Sequence, residues 1–161
     1  MSMLVAIGTV TSTTVWFPAG IAKAYPMQHA INVLSAVTLG PIGGITVAFL
    51  IGLIRNILGV GTILAFPGGM VGAFLAGWLY QKRAKLSFAV IGEVFGTGFL
   101  GALISAPIAK LFLGKSTAIL FFVPSFFISS FSGSILAFLV ISMLMKNETL
   151  NKRYFQNQER I

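Results

Sequence analysis

The chain has no cysteine and no aspartate, one histidine, and three acidic residues against eleven lysines and arginines. Without cysteine there is neither a disulfide nor a thiol nucleophile. One histidine, His29, leaves almost nothing with which to build a transition-metal site. The missing aspartate removes the usual magnesium ligand of a nucleotide hydrolase. Gly114, Lys115 and Ser116 resemble the end of a phosphate-binding loop, but Ala109 stands where that motif needs its first glycine. Any ATP-driven work therefore falls to a partner, and the reading is of a protein that is not an enzyme and carries no cofactor. Charge of either sign is scarce: 9% of residues are charged and 57% are hydrophobic, with a mean hydropathy of +0.95. Such a chain cannot clothe itself in an ordinary soluble surface, so the class is an integral membrane protein.

Long apolar runs separated by short polar breaks predict an all-α fold, one domain of six transmembrane helices over residues 1–161. The spans fall at about Met3 to Ala19, His29 to Gly40, Pro41 to Leu58, Pro67 to Tyr80, Leu86 to Leu113 and Ala118 to Met145. The first lacks a small-residue cleavage pattern and reads as a span that stays. Lysine and arginine accumulate in cytoplasmic loops. Lys82, Arg83 and Lys85 follow the fourth span, and Lys146, Lys152, Arg153 and Arg160 occupy the tail at 146–161. Opposite them stand only Lys23, Lys110 and Lys115. Both termini are therefore expected in the cytoplasm, and the net charge of +8 reads as topology, with no nucleic-acid partner.

Small residues recur every fourth position: Gly40, Gly44, Ala48 and Gly52, ending in Asn56; Gly68, Gly72 and Ala76 beside Gly69, Ala73 and Gly77; Gly92 and Gly96; Gly98 and Ala102. Such ridges let helix backbones touch in a bilayer, where no hydrophobic effect drives association. Ser2 and Ala6 make a smaller patch, suited either to another subunit's helix or to packing within the chain.

Polar residues gather toward the outer half. Tyr25, Gln28, His29 and Asn32 surround the start of the second span, Arg55 and Asn56 end the third, and a glycine-rich loop with Thr62 and Phe66 leads to Pro67, Gly68 and Gly69. Pro67 suits a helix's first turn, whose free backbone donors can hold an acceptor. Cations inside membrane helices need a partner or a function, which makes Arg55 a first candidate. Glu93, the one acid within a span, stands a turn before Thr97; it either pairs with Arg55 or meets a ligand, and the two do not exclude each other. Phe126 and Ser129, among the phenylalanines and serines of the sixth span, would suit a small heterocycle that needs stacking and a few hydrogen bonds, although helix packing and lipid contact account for most such phenylalanines.

Pro26, Gln28, His29, Ile31, Asn32, Val33 and Leu34, then Leu39, Gly40 and Pro41, then the run from Arg55 and Asn56 through Gly59, Gly61, Thr62, Leu64, Ala65, Phe66, Pro67 and Gly68, resemble the ThiW family. Gly92, Glu93, Gly96, Thr97 and Gly98, and Phe121, Phe122, Val123 and Pro124, extend the likeness over nearly the whole chain. The resemblance implies the substrate-binding S component of an energy-coupling factor (ECF) importer in a bacterial cell membrane. Such a subunit takes its substrate from outside and docks on a T component and two ATPases. The implied substrate is the thiazole precursor of thiamine, 4-methyl-5-(2-hydroxyethyl)thiazole. S components commonly carry an alanine-x-x-x-alanine docking patch in the first helix, to which Ser2 and Ala6 are the nearest match. Rival readings are an S component for the pyrimidine precursor or for thiamine, a self-sufficient facilitator, and, least supported, a membrane enzyme.

Overall fold

The computed structural model describes residues 1–19, 22–114 and 119–155. Lys115, Ser116, Arg160 and the start of the expected sixth span at Ala118 lie outside the described residues. In chain order the elements are α1 (Ser2–Thr14), a hairpin of β1 (Phe17–Ala19) and β2 (Ala22–Ala24), α2 (Pro26–Ile57), α3 (Ala65–Arg83), α4 (Leu86–Phe95), a π-helical stretch (Gly96–Gly101), α5 (Ala102–Leu113), a 3-10 turn (Ile119–Phe122), α6 (Val123–Met145) and α7 (Glu148–Tyr154).

The hairpin departs from an all-α fold and shortens the expected first span. Helix α1 ends at Thr14, ahead of Val15 and of Pro18, which could neither donate a helical hydrogen bond nor fit a helix interior. The strands pair antiparallel, Phe17 with Ala24 and Pro18 with Lys23.

The run of α2 is two helical arms joined at a kink. Gly40 takes φ 77° and ψ 179°, a backbone conformation closed to residues with a side chain, and Pro41 follows it. The chain folds back there. A methyl group placed on Gly44 would stand 3.1 Å from the Ala36 Cα. Arg55 hydrogen-bonds Gln28, 27 residues earlier; in a straight helix they would be about 40 Å apart. The two arms, 26–39 and 41–57, therefore lie side by side, as the second and third runs of the sequence do on either side of Gly40.

Three stretches are long and apolar enough to cross a membrane by length and composition: Pro26–Ile57, Leu86–Phe112 and Leu120–Met145. The first reaches its 32 residues only as the sum of two folded arms. Large apolar side chains such as Ile42, Leu111, Phe131 and Leu139 point outward, as in a protein solvated by lipid.

Helix α3 is packed through its glycines. Ideal Cβ atoms on Gly77, Gly92, Gly96 and Gly101 would come within 2.4–2.7 Å of backbone atoms of the α2 turn, of Leu75, of Gly72 and of Gly68, respectively. Backbone thus meets backbone along α3, α4 and the π stretch, the close approach that small-residue ridges permit.

The bundle has two unlike ends. One is plugged by apolar packing among Val33, Val37, Ala76, Tyr80, Ala137, Ile141 and Phe155. Just beyond stand Lys82 and Arg83 at the end of α3 and Lys146 after α6. The other end, about 27 Å away along α3, carries the hairpin, both tips of α2 and the start of α6. Each end has a tryptophan beneath a lysine: Lys23 Nζ is 3.9 Å from the Trp16 ring centre and Lys82 Nζ 4.0 Å from that of Trp78. Tryptophan favours membrane interfaces, so the pairs suit the two margins of a bilayer.

Candidate substrate cavity

At the hairpin end the elements enclose a cavity of about 390 Å³. The fold-back at Gly40 brings the tips of α2 together, so Tyr25, Gln28 and His29 face Arg55 across one space. The loop Val60–Leu64 and the first turns of α3 form another wall, Thr97 a third, and Phe121, Phe122, Ser125, Phe126 and Ser129 a fourth.

The hairpin is tied over this space by α6. Ser129 Oγ accepts from the Tyr25 backbone N–H at 2.7 Å, and Ser125 Oγ donates to the Ala19 carbonyl at 2.7 Å. Both serines face the cavity while holding its cover.

Glu93 is the centre of one polar cluster. It is fully buried, and a single oxygen, Oε1, meets His29 Nδ1 at 2.8 Å, Asn32 Nδ2 at 3.1 Å and Thr97 Oγ1 at 3.0 Å. Asn32 Nδ2 and His29 Nδ1 donate to this oxygen, and Thr97 has one hydroxyl proton to share between it and the Gly68 carbonyl. The proton of His29 then sits on Nδ1, which leaves Nε2 for the cavity side of the ring. The π stretch sets Thr97 so that its hydroxyl is also 2.9 Å from the Gly68 carbonyl. Such stretches are frequent at functional sites. Gly72 makes room: a Cβ there would lie 2.1 Å from Thr97 Oγ1 and 2.6 Å from Glu93 Oε2.

Arg55 is the centre of the other cluster, and it is only 1% exposed. It donates to Gln28 Oε1 and, at 3.3 Å, to the Val60 carbonyl, while its guanidinium lies 4.0 Å from the centre of the Tyr25 ring. Its Nε has no partner. Arg55 and Glu93 do not pair: each has its own shell.

Of the residues singled out in the sequence, Tyr25, Gln28, His29, Arg55, Thr62, Thr97, Phe126 and Ser129 share the cavity wall. Asn32 and Glu93 stand behind it, bonded to His29 and Thr97 or to each other. Asn56 is also off the wall; its amide donates to Gly52 at 2.8 Å and Thr62 at 3.2 Å and so pins the loop. Phe66 packs on Phe49 and beside Gly52, away from the cavity. The free donors expected at the start of α3 are largely used: Ala65 and Phe66 N–H bond the Thr62 and Ile63 carbonyls, and Pro67 has no N–H. Lys23, Val60, Leu64 and Ala65 join the wall without having been singled out as ligand contacts. The alternation of the hairpin and the fold of the loop place them there, and no motif announces either. Ser2 and Ala6 lie elsewhere, with Met1, Val5, Leu50 and Ile54 around a separate groove.

An apolar helical bundle with a cavity of small-molecule size, polar on one wall and aromatic on another, is a membrane-embedded small-molecule binder. The family makes the class specific. The chain belongs to the ThiW family, whose model, thiamine-precursor transporter protein, matches residues 1–147. Searches of curated proteins and of solved structures each give no match.

Proposed function

We propose that this protein is the substrate-binding S component of an ECF-type importer in a bacterial plasma membrane, and that it captures the hydroxyethylthiazole precursor of thiamine from outside. On this reading the bundle crosses the bilayer six times, by α1, the two arms of α2, α3, the continuous run from α4 through α5, and α6. Both termini lie in the cytoplasm with the basic end.

The observation that carries the proposal is the cavity itself. Its volume of about 390 Å³ lies at the small end of the usual ~300–1,000 Å³ range for small-molecule sites. It sits opposite the lysine-rich end, which is where the positive-inside rule puts the outside. Phenylalanines on the 3-10 turn and α6 suit the face of a heterocycle, and His29 Nε2 and Thr97 suit its heteroatom and hydroxyl. Below the cavity, apolar packing that includes Val37, Tyr80 and Ile141 closes the bundle, which favours capture and hand-over over passive flow. Energy for release then comes from a T component and two ATPases, with Ser2 and Ala6 on the docking face. The protein catalyses no reaction of its own and needs no cofactor.

Binding of labelled hydroxyethylthiazole to the purified protein, set against the pyrimidine precursor and thiamine, tests the ligand. Saturable binding with the thiazole preferred is expected; folded protein that ignores it overturns the assignment. Co-purification with a T component is expected too, and should be lost in Ala6→Leu.

A further inference from the structure

Arg55 is a buried guanidinium without a counter-anion. Its partners are an amide oxygen, a backbone carbonyl and the Tyr25 ring, all neutral, and its Nε is unmatched. Among the described residues no carboxylate pairs with it. Glu93 is committed to His29, Asn32 and Thr97. Glu148 opens α7, beyond the far end of α6. Among the described residues no acidic side chain lines the cavity, whereas two cations do, Arg55 and Lys23.

A charge held out of water without an opposite charge costs several kcal/mol, and a purely structural role at this position does not require it. The loop is already closed onto this corner by backbone bonds: Val60 and Gly61 N–H both reach the Arg55 carbonyl, at 3.0 and 2.9 Å. A neutral donor would serve Gln28 and the Val60 carbonyl equally well. The property arginine adds is a permanent positive charge, with a planar set of donors that fits two oxygens of one anion.

We infer that the Arg55 side of the cavity is an anion subsite, and that the preferred ligand carries one oxyanion group on a small aromatic body. This rests on the thiazole reading above and makes it narrower: the phosphate monoester of the thiazole alcohol fits the cavity better than the neutral alcohol. Its ring lies toward Phe122 and Phe126, and its phosphate meets Arg55, with Lys23 at the rim.

The test is titration of the purified full-length protein in lipid nanodiscs with hydroxyethylthiazole, its phosphate monoester and inorganic phosphate. The monoester is expected to bind at least ~10-fold tighter than the alcohol, a difference of about 1.4 kcal/mol. That preference should shrink to about twofold or less in Arg55→Gln, survive in part in Arg55→Lys, and fall severalfold in Lys23→Gln. Wild-type protein that binds the alcohol as tightly as the monoester overturns the inference and leaves the thiazole assignment standing, whatever happens to the variants. Failure of both thiazole compounds overturns the thiazole assignment. Inorganic phosphate then decides the subsite: thermal protection that disappears in Arg55→Gln upholds it, and no protection of the wild type overturns it.

Discussion

Glu93 Oε1 meets three polar side chains on α2 and the π stretch, whereas Arg55, of opposite charge and equally buried, meets only neutral groups drawn in part from a loop and the end of a hairpin. The carboxylate is held through Oε1 by partners set into helices, while its Oε2, like Arg55 Nε, has no hydrogen-bond partner among the described residues. The guanidinium is incompletely satisfied, and its neighbours Val60 and Tyr25 belong to connecting segments. One charge organises the cavity wall; the other is left for what enters it. If so, removing Glu93 should act first on stability, and removing Arg55 first on binding.

The largest effect is expected from Glu93→Ala, which leaves His29, Asn32 and Thr97 without their shared partner. A loss of about 3–5 kcal/mol in unfolding free energy in mixed micelles is predicted, as for other broken buried pairs. A loss below about 1 kcal/mol would mean that the cluster is not held as described. Gly72→Ala tests the same cluster through its packing: the new methyl collides with Thr97 and Glu93, with an expected cost of about 1–3 kcal/mol. Thermal stability in detergent should fall, and equal stability would show that the helices can part without penalty.

Arg55→Ala probes the other side of the comparison. Ligand binding should weaken at least tenfold, about 1.4 kcal/mol, with a smaller stability loss than in Glu93→Ala. The reverse order of the two variants in stability would remove the distinction. Glu93→Gln should also weaken binding by tenfold or more, because a neutral amide oxygen holds His29 and Thr97 less firmly than a carboxylate oxygen. The smallest change is expected from Ser129→Ala, which strips the Tyr25 N–H of its acceptor; about 1 kcal/mol of stability should be lost, with a modest loss of affinity measured by titration.

Much of this was legible along the chain because membrane helices write their constraints locally. Apolar length, the glycine at the α2 turn and the small-residue ridges all act through near neighbours in sequence or through a simple period. The site was legible as a set of residue types: polar side chains are so costly in this environment that Gln28, His29, Arg55 and Thr97 each stood out. Their grouping was not. Arg55 and Glu93 invite pairing as the two charges of the outer half, but the π stretch and the folded α2 arms give the carboxylate to His29, Asn32 and Thr97 instead. Asn56 and Phe66 looked like ligand contacts because they flank the loop, and only the direction of each side chain shows that one pins the loop and the other packs behind it.

By itself the sequence determined the solvent this protein lives in, the side chains it lacks, and the few polar residues available for a site, because each follows from composition and from the cost of placing a given group in lipid. The tertiary structure decided which polar residue meets which, since hydrogen bonds among residues 27 to 64 positions apart depend on where helices turn and touch. That is why Arg55 reads in the sequence as a charge in need of a partner, and in the folded protein as a charge whose partner the chain does not contain among its cavity residues.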